Sequence, residues 1–125
     1  MSSRDIEGEN LLYLPQAKIY IGSCAIGART TDLQLDGPLP HVRFARADDD
    51  PGPAVFAGET SVDRIKRTFD ELIDYLFRSQ TFPRGALLLT GAGVVPPDSF
   101  TLAGGDRVRI TISGIGTLEN PVTVV

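Results

Sequence analysis

Lys18 stands in the run Gln16-Ala17-Lys18-Ile19-Tyr20-Ile21, where polar and apolar residues alternate. A two-residue period places Gln16, Lys18 and Tyr20 on one face of a strand, which is either exposed or one wall of a pocket. In a pocket the lysine would offer a fixed positive charge to an oxyanion, or carry a proton. The densest group of ionisable residues comes earlier, at Arg4, Asp5, Glu7 and Glu9. An extended backbone there would point the three acids to one side, where their oxygens could hold a hard divalent cation. The alternative is a solvated acidic terminus. Further on, Thr90-Gly91-Ala92-Gly93 follows the apolar run at 85–89. Glycines there let backbone approach a ligand, and a threonine hydroxyl can bind a carboxylate or carbonyl; a plain strand-end turn has the same composition. It is no dinucleotide fingerprint, because Val94, Val95, Pro96 and Pro97 follow where a helix would have to begin. Cys24 and His41 lack partners at ligand spacing, so neither a zinc site nor a cysteine–histidine pair is expected.

Strands, more than helices, have to position these groups. Pro and Gly make up 22 of 125 residues (9 Pro and 13 Gly), which favours turns and short strands. One helix is predicted over about 61–79, where Val62, Ile65, Phe69, Leu72, Ile73, Leu76 and Phe77 make a single stripe. Thr60 or Ser61 would cap it, with Asp63 at capping-box spacing from Thr60. Asp63–Arg67 and Asp74–Arg78 would pair along its wet face, and Pro83 would end it. Val108, Ile110 and Ile112 alternate with Arg107, Arg109 and Thr111, a strand fed by the turn Gly104-Gly105-Asp106. Residues 42–45 and 54–57 read as a hairpin, 85–90 as a central strand, 121–125 as a last edge strand and 27–40 as loop. The fold class is therefore α+β, mostly β, with residues 1–125 in a single domain.

Twelve Lys and Arg against 16 Asp and Glu leave a net charge of −4 with scattered basic residues, which argues against a nucleic-acid partner. No apolar run approaches the roughly 20 residues of a membrane-spanning helix, so no membrane partner is expected. Charges at Arg4, Asp5, Glu7 and Glu9 are the wrong start for a secretory leader. A single cysteine suits a reducing compartment, and the expected location is cytoplasmic.

The segments MSSRDIEGENLLYLPQAKIY (1–20), VFAGETS (55–61), TGAGVVPP (90–97) and FTLAGGDRVRITISGIGTLENPV (100–122) carry a further signal. Together they resemble the C-terminal half of the fumarylacetoacetate hydrolase family. Within it the likeness is greatest to dehydratases of 2-keto-3-deoxy sugar acids, such as 2-dehydro-3-deoxy-D-arabinonate, and it runs the length of the chain. The resemblance implies a partial, mixed β-roll with the helix at about 61–79 as its cover, usually in a homodimer. It makes the chain a truncated C-terminal portion of the family's domain. The implied parent reaction is metal-dependent dehydration or C–C hydrolysis of a small 2-keto acid, with Mg²⁺ or Mn²⁺ on a Glu-x-Glu pair and a later Asp. Those acids would precede Met1. No metal ligand, no bound cation and no activity are then expected of this chain alone, and the second reading is a non-catalytic remnant or assembly module. By the same resemblance Lys18 is the active-site lysine. Arg4, Tyr13, Gln16, Thr90 and Gly91 would bind substrate, and Asp5 would support the segment behind the metal. Ala92, Leu11 and Ala28 depart from the family pattern: Ala92 lacks a threonine hydroxyl, and the other two lack a proline.

Overall fold

The computed structural model describes residues 2–27, the backbone of 41–47, and residues 54–125. The α+β class holds. Its frame is one antiparallel sheet of β1 (His41–Ala47), β2 (Ala54–Ser61), β3 (Arg107–Ile112) and β4 (Gly116–Pro121), in the order β2-β1-β3-β4. The hairpin expected at 42–57 is β1 with β2, and β2 runs on to Ser61. Residues 28–40, which include Ala28 and most of the expected loop, lie outside the described residues.

The alternation read at 107–112 decides which face of the sheet is wet. Register sets Arg109 opposite Glu119 and Thr111 opposite Thr117, with Val108 and Ile110 on the other face beside Asn120 and Leu118. Passed through β1, the same register puts Phe56, Gly58 and Thr60 on the Val108 face. On the wet face the Arg109 Nε donates to Glu119 Oε2 at 2.7 Å and Arg107 Nη1 donates to Oε1 at 2.9 Å. The Thr111 and Thr117 hydroxyls meet at 3.0 Å. These cross-strand pairs hold β4 in register. The turn that feeds β3 closes on itself, because the buried Asp106 carboxylate accepts the Ala103 N–H at 2.6 Å. Gly105, at φ 93°, takes the left-handed position that turn requires.

Three expected elements come out differently. The last strand is β4, and beyond Pro121 the chain leaves the ladder: Val122 N–H donates to the Asp106 carbonyl at 2.7 Å, and Gly105 N–H donates to the Val122 carbonyl at 2.9 Å. Residues 85–90 pair with no strand among the described residues, and Leu87 and Leu89 stand exposed. The helix starts later than predicted. Val62–Arg64 makes a single 3₁₀ turn, Ile65 is extended, and the helix α2 spans Phe69–Phe77. The Ser61 hydroxyl donates to the Asp63 carboxylate, a local bond that competes with helix at this point. Thr68 is the cap, accepting the Glu71 N–H at 3.2 Å, and Arg67 pairs with Glu71 at 3.0 Å where Asp63 had been expected. Arg78 lies over the Tyr75 ring, 4.1 Å from its centroid. No side chain of α2 is buried, and among the described residues it makes no extensive contact with the sheet, so the expected cover is not seen among them. Ala17 and Val108 are the only buried apolar side chains among the described residues. No described helix is long and apolar enough to cross a membrane.

Hydrogen bonds from Arg109, and then from Arg107, hold the Glu119 carboxyl below its ordinary 4.5. A carboxyl depressed in the folded state contributes stability that is present above pH 4.5 and is lost as the pH falls through the folded value. Circular-dichroism melts from about pH 6 down to about pH 3 should therefore show wild type losing stability below pH 4.5 more steeply than Glu119→Gln. Equal slopes would show that the β3–β4 ion pairs contribute nothing to the acid response.

Candidate functional site

Residues 2–18 fold back on themselves before they reach the sheet. Arg4–Glu9 forms the short helix α1, with acidic Asp5 and Glu7 in its first turn, where they complement the helix dipole. Asn10 stops it and caps the next turn, its Oδ1 accepting the Leu12 N–H at 2.9 Å. After Pro15, the 3₁₀ turn Gln16–Lys18 brings the chain back, and the Ser3 N–H donates to the Ala17 carbonyl at 2.8 Å over the fully buried Ala17 side chain. Both extended readings of this region are thereby corrected. On a helix, steps of two residues throw Glu7 to the side opposite Asp5 and Glu9, so no row of three acids forms. Gln16 and Lys18 lie in one 3₁₀ turn, where side chains at i and i+2 diverge, so they do not share a strand face.

The fold instead builds two small polar stations. In the first, Lys18 Nζ donates to Ser2 Oγ at 2.6 Å and to Glu7 Oε1 at 3.0 Å, with about half of the lysine side chain still exposed. In the second, Arg4 reaches out of α1 to the loop after the Thr90-Gly91 turn. Its Nη1 donates to the Pro96 and Pro97 carbonyls at 3.2 Å each, and its Nη2 meets Asp98 Oδ1 at 2.5 Å. That loop is laid across β2. Gly93 lies on Thr60, Val94 on Gly58, and the Phe100 ring against Phe56 with centroids 5.0 Å apart. A Cβ on Gly93 would sit 2.5 Å from Thr60 Oγ1, and one on Gly58 would overlap Val94 Cγ1.

Among the residues expected at the site, Lys18 and Arg4 are fixed by these bonds. Asp5, Tyr13, Gln16, Thr90 and Gly91 are exposed, Gly91 at φ 106°. Arg4 is committed to protein carbonyls and Asp98. Ser2 and Glu7 as holders of Lys18, Asp98 as the partner of Arg4, and Gly58 as a contact point were not anticipated. Arg4 and Asp98 lie 94 residues apart in sequence, and nothing local signals such a pair. Two shallow concavities, of about 330 Å³ at residues 62–70 and about 380 Å³ at Glu59–Ser61 and Arg64, include none of the site residues. Among the described residues no three of His, Cys, Asp and Glu converge, and Glu7 is spent on Lys18, so this donor set does not fit a divalent cation.

The chain is similar to known proteins in sequence and in fold. The fumarylacetoacetate (FAA) hydrolase C-terminal family matches residues 52–123. A Haloferax volcanii protein named "Probable 2-keto-3-deoxyxylonate dehydratase" is 44% identical over 126 residues, a match covering 100% of this chain and 43% of the relative. The Saccharolobus solfataricus 2-dehydro-3-deoxy-D-arabinonate dehydratase is 42% identical over 129 residues, covering 98% of this chain and 41% of that protein. A solved 2-keto-3-deoxy-D-arabinonate dehydratase complexed with magnesium and 2,5-dioxopentanoate superposes with a TM-score of 0.89 at 40% identity, over 98% of this chain and 43% of that one. The chain thus spans less than half the length of these relatives.

The matched region contains β2, the crossing segment and the β3–β4 hairpin, joined where Gly93 meets Thr60. Gly93→Ala should lower the stability of the chain in urea by about 1–3 kcal/mol, the cost of forcing a methyl into a filled contact. Gly8→Ala, which meets nothing within 4 Å on α1, should be neutral or stabilising by up to about 1 kcal/mol. Equal effects of the two substitutions would mean that the crossing does not hold the fold together.

Proposed function

Because the chain belongs to the fumarylacetoacetate hydrolase family, we propose that it builds part of a site that dehydrates a 2-keto-3-deoxy sugar acid. The observation that carries this reading is the anchored Lys18 ammonium, in a chain 44% and 42% identical, along its length, to two proteins named as such dehydratases. The same likeness supports a sheet that belongs to a mixed β-roll, with dehydration favoured over C–C hydrolysis.

In such a substrate the C3 hydrogens lie α to the keto group and the C4 hydroxyl lies β to it. Loss of a C3 proton gives an enolate, and expulsion of the C4 hydroxyl as water completes the dehydration. Negative charge grows on the keto oxygen, beside a carboxylate that is already charged. A preorganised cation is the group that stabilises this change. Lys18 supplies it and can also hand a proton to the departing hydroxyl. Thr90 and the Gly91 N–H suit the substrate carboxylate, Tyr13 and Gln16 its hydroxyls, while Arg4 holds the loop that carries Thr90 and Asp5 stands beside it on α1. A divalent cation such as Mg²⁺ or Mn²⁺ supplies Lewis-acid polarisation of a 2-keto acid. Among the described residues no three of His, Cys, Asp and Glu converge to hold such an ion.

Assembly follows from the surface. Leu87, Leu89, Ile73 and Phe77 are exposed, and among the described residues β2 and β4 each pair with one strand only, which supports pairing of copies into a homodimer; the setting proposed is cytoplasmic. Sedimentation at tens of micromolar should show the dimer, and a clean monomer would remove this part of the proposal.

The activity is tested by joining the chain behind the remaining part of the Saccharolobus solfataricus relative and assaying 2-keto-3-deoxy-arabinonate with Mg²⁺. Turnover is expected, and Lys18→Ala should lower kcat by about 100-fold or more. Equal turnover by a folded Lys18→Ala variant would overturn the role of the lysine. A folded protein that binds metal and never turns over would favour the assembly module.

A further inference from the structure

We infer that Glu7 is the positioning residue of this site, holding the Lys18 ammonium in one direction so that a single N–H is left for the ligand. The inference rests on the reading of Lys18 given above and goes beyond it in naming what aims the lysine. An ammonium has three donors in a fixed tetrahedral fan. Ser2 Oγ takes one at 2.6 Å and Glu7 Oε1 another at 3.0 Å, so the direction of the third is determined. A lysine free in solvent would spread its charge over many rotamers.

The frame behind this pair is fixed independently of it. Ser2 and Glu7 flank the start of α1, the Glu7 N–H donates to the Ser3 carbonyl at 3.0 Å, and the Ser3 N–H ties α1 to the buried Ala17 next to Lys18. The distance from Glu7 to Lys18 is thus set by backbone and does not depend on the ion pair forming. An ion pair with both partners partly exposed, as here, adds little to stability. Removing the carboxylate should therefore leave the fold in place while the ammonium loses its direction. This separates a positioning role from a structural one.

The chain has only two lysines, Lys18 and Lys66, so a sample labelled at lysine Cε gives two side-chain signals, with Lys66 as internal reference. In this chain Lys18 should relax as a restrained side chain. Glu7→Gln should bring its order down toward that of Lys66 with an unchanged circular-dichroism spectrum, and Glu7→Asp should restore it in part. In the joined enzyme described above, Glu7→Gln should lower kcat by about tenfold to a hundredfold with a smaller change in KM, the scale of misplacing a catalytic group by about 1 Å. A Lys18 signal that does not respond to Glu7→Gln overturns the inference, whatever the enzyme does. So does a joined enzyme in which Lys18→Ala abolishes turnover and Glu7→Gln leaves kcat intact. If Lys18→Ala itself leaves turnover intact, the reading of the lysine fails, and the relaxation experiment still decides whether Glu7 orders it.

Discussion

The rest of the structure depends on the contact between the 93–94 segment and β2, where Gly93 rests on Thr60 and Gly58 lies under Val94. Without side chains at those two glycines, one stretch of chain crosses the sheet so closely that an added Cβ at either would force Thr60 or Val94 to shift. The crossing leaves Thr90 and Gly91 free at its start and delivers the carbonyls of Pro96 and Pro97 to Arg4 at its end. Phe100 on Phe56 closes it at the far side. A local steric allowance thus determines where the N-terminal element attaches, because Arg4 has nothing to hold until the loop is laid down.

The helix α1 then works as a bracket. Arg4 and Glu7 are one helical turn apart and so lie on neighbouring positions of its surface. One reaches the 96–98 loop and the other reaches Lys18. Six residues of helix are too few to be stable alone, so α1 relies on these attachments and on the Ser3–Ala17 bond. The two polar stations are in this way joined through one short helix, although no single described cavity encloses them.

What is local in this fold is legible in the sequence, and what is tertiary is not. The alternation at 107–112 and the hairpin at 42–57 are visible because a two-residue period survives in the sequence wherever one face is wet. The helix boundary was misjudged although the signal was present: Thr68 and Glu71 stand at capping-box spacing and Thr68 caps the Glu71 N–H, but the apolar stripe runs past this signal to Val62 and hides it. The run at 85–90 reads as a strand yet pairs with none of the described ones, because periodicity cannot report whether a neighbour exists. At the site, Lys18 was found by its setting and by the family likeness, yet as part of a strand. Its true setting is a 3₁₀ turn after Pro15. Glu7 was noticed only as one of three acids, since its relation to Lys18 comes from two successive turns that no spacing rule encodes. The Arg4–Asp98 pair is tertiary in origin, and no window of sequence contains both ends.

The chemistry of the stations depends on direction more than on charge count. The chain carries a net −4, so its distant field repels an anion. Near at hand, Lys18 is balanced by Glu7 and Arg4 by Asp98, which makes each station a dipole. The potential of a dipole falls faster with distance than that of a single charge, and its sign depends on the side of approach. An anion is then attracted only when it touches the ammonium from the side away from Glu7. The half of the Lys18 side chain that remains exposed is what leaves that approach open. Such an arrangement gives up long-range capture in exchange for contact selectivity. Where the ammonium takes an anion as proposed, the angle of one N–H, set by Ser2 and Glu7, is the quantity that decides the contact.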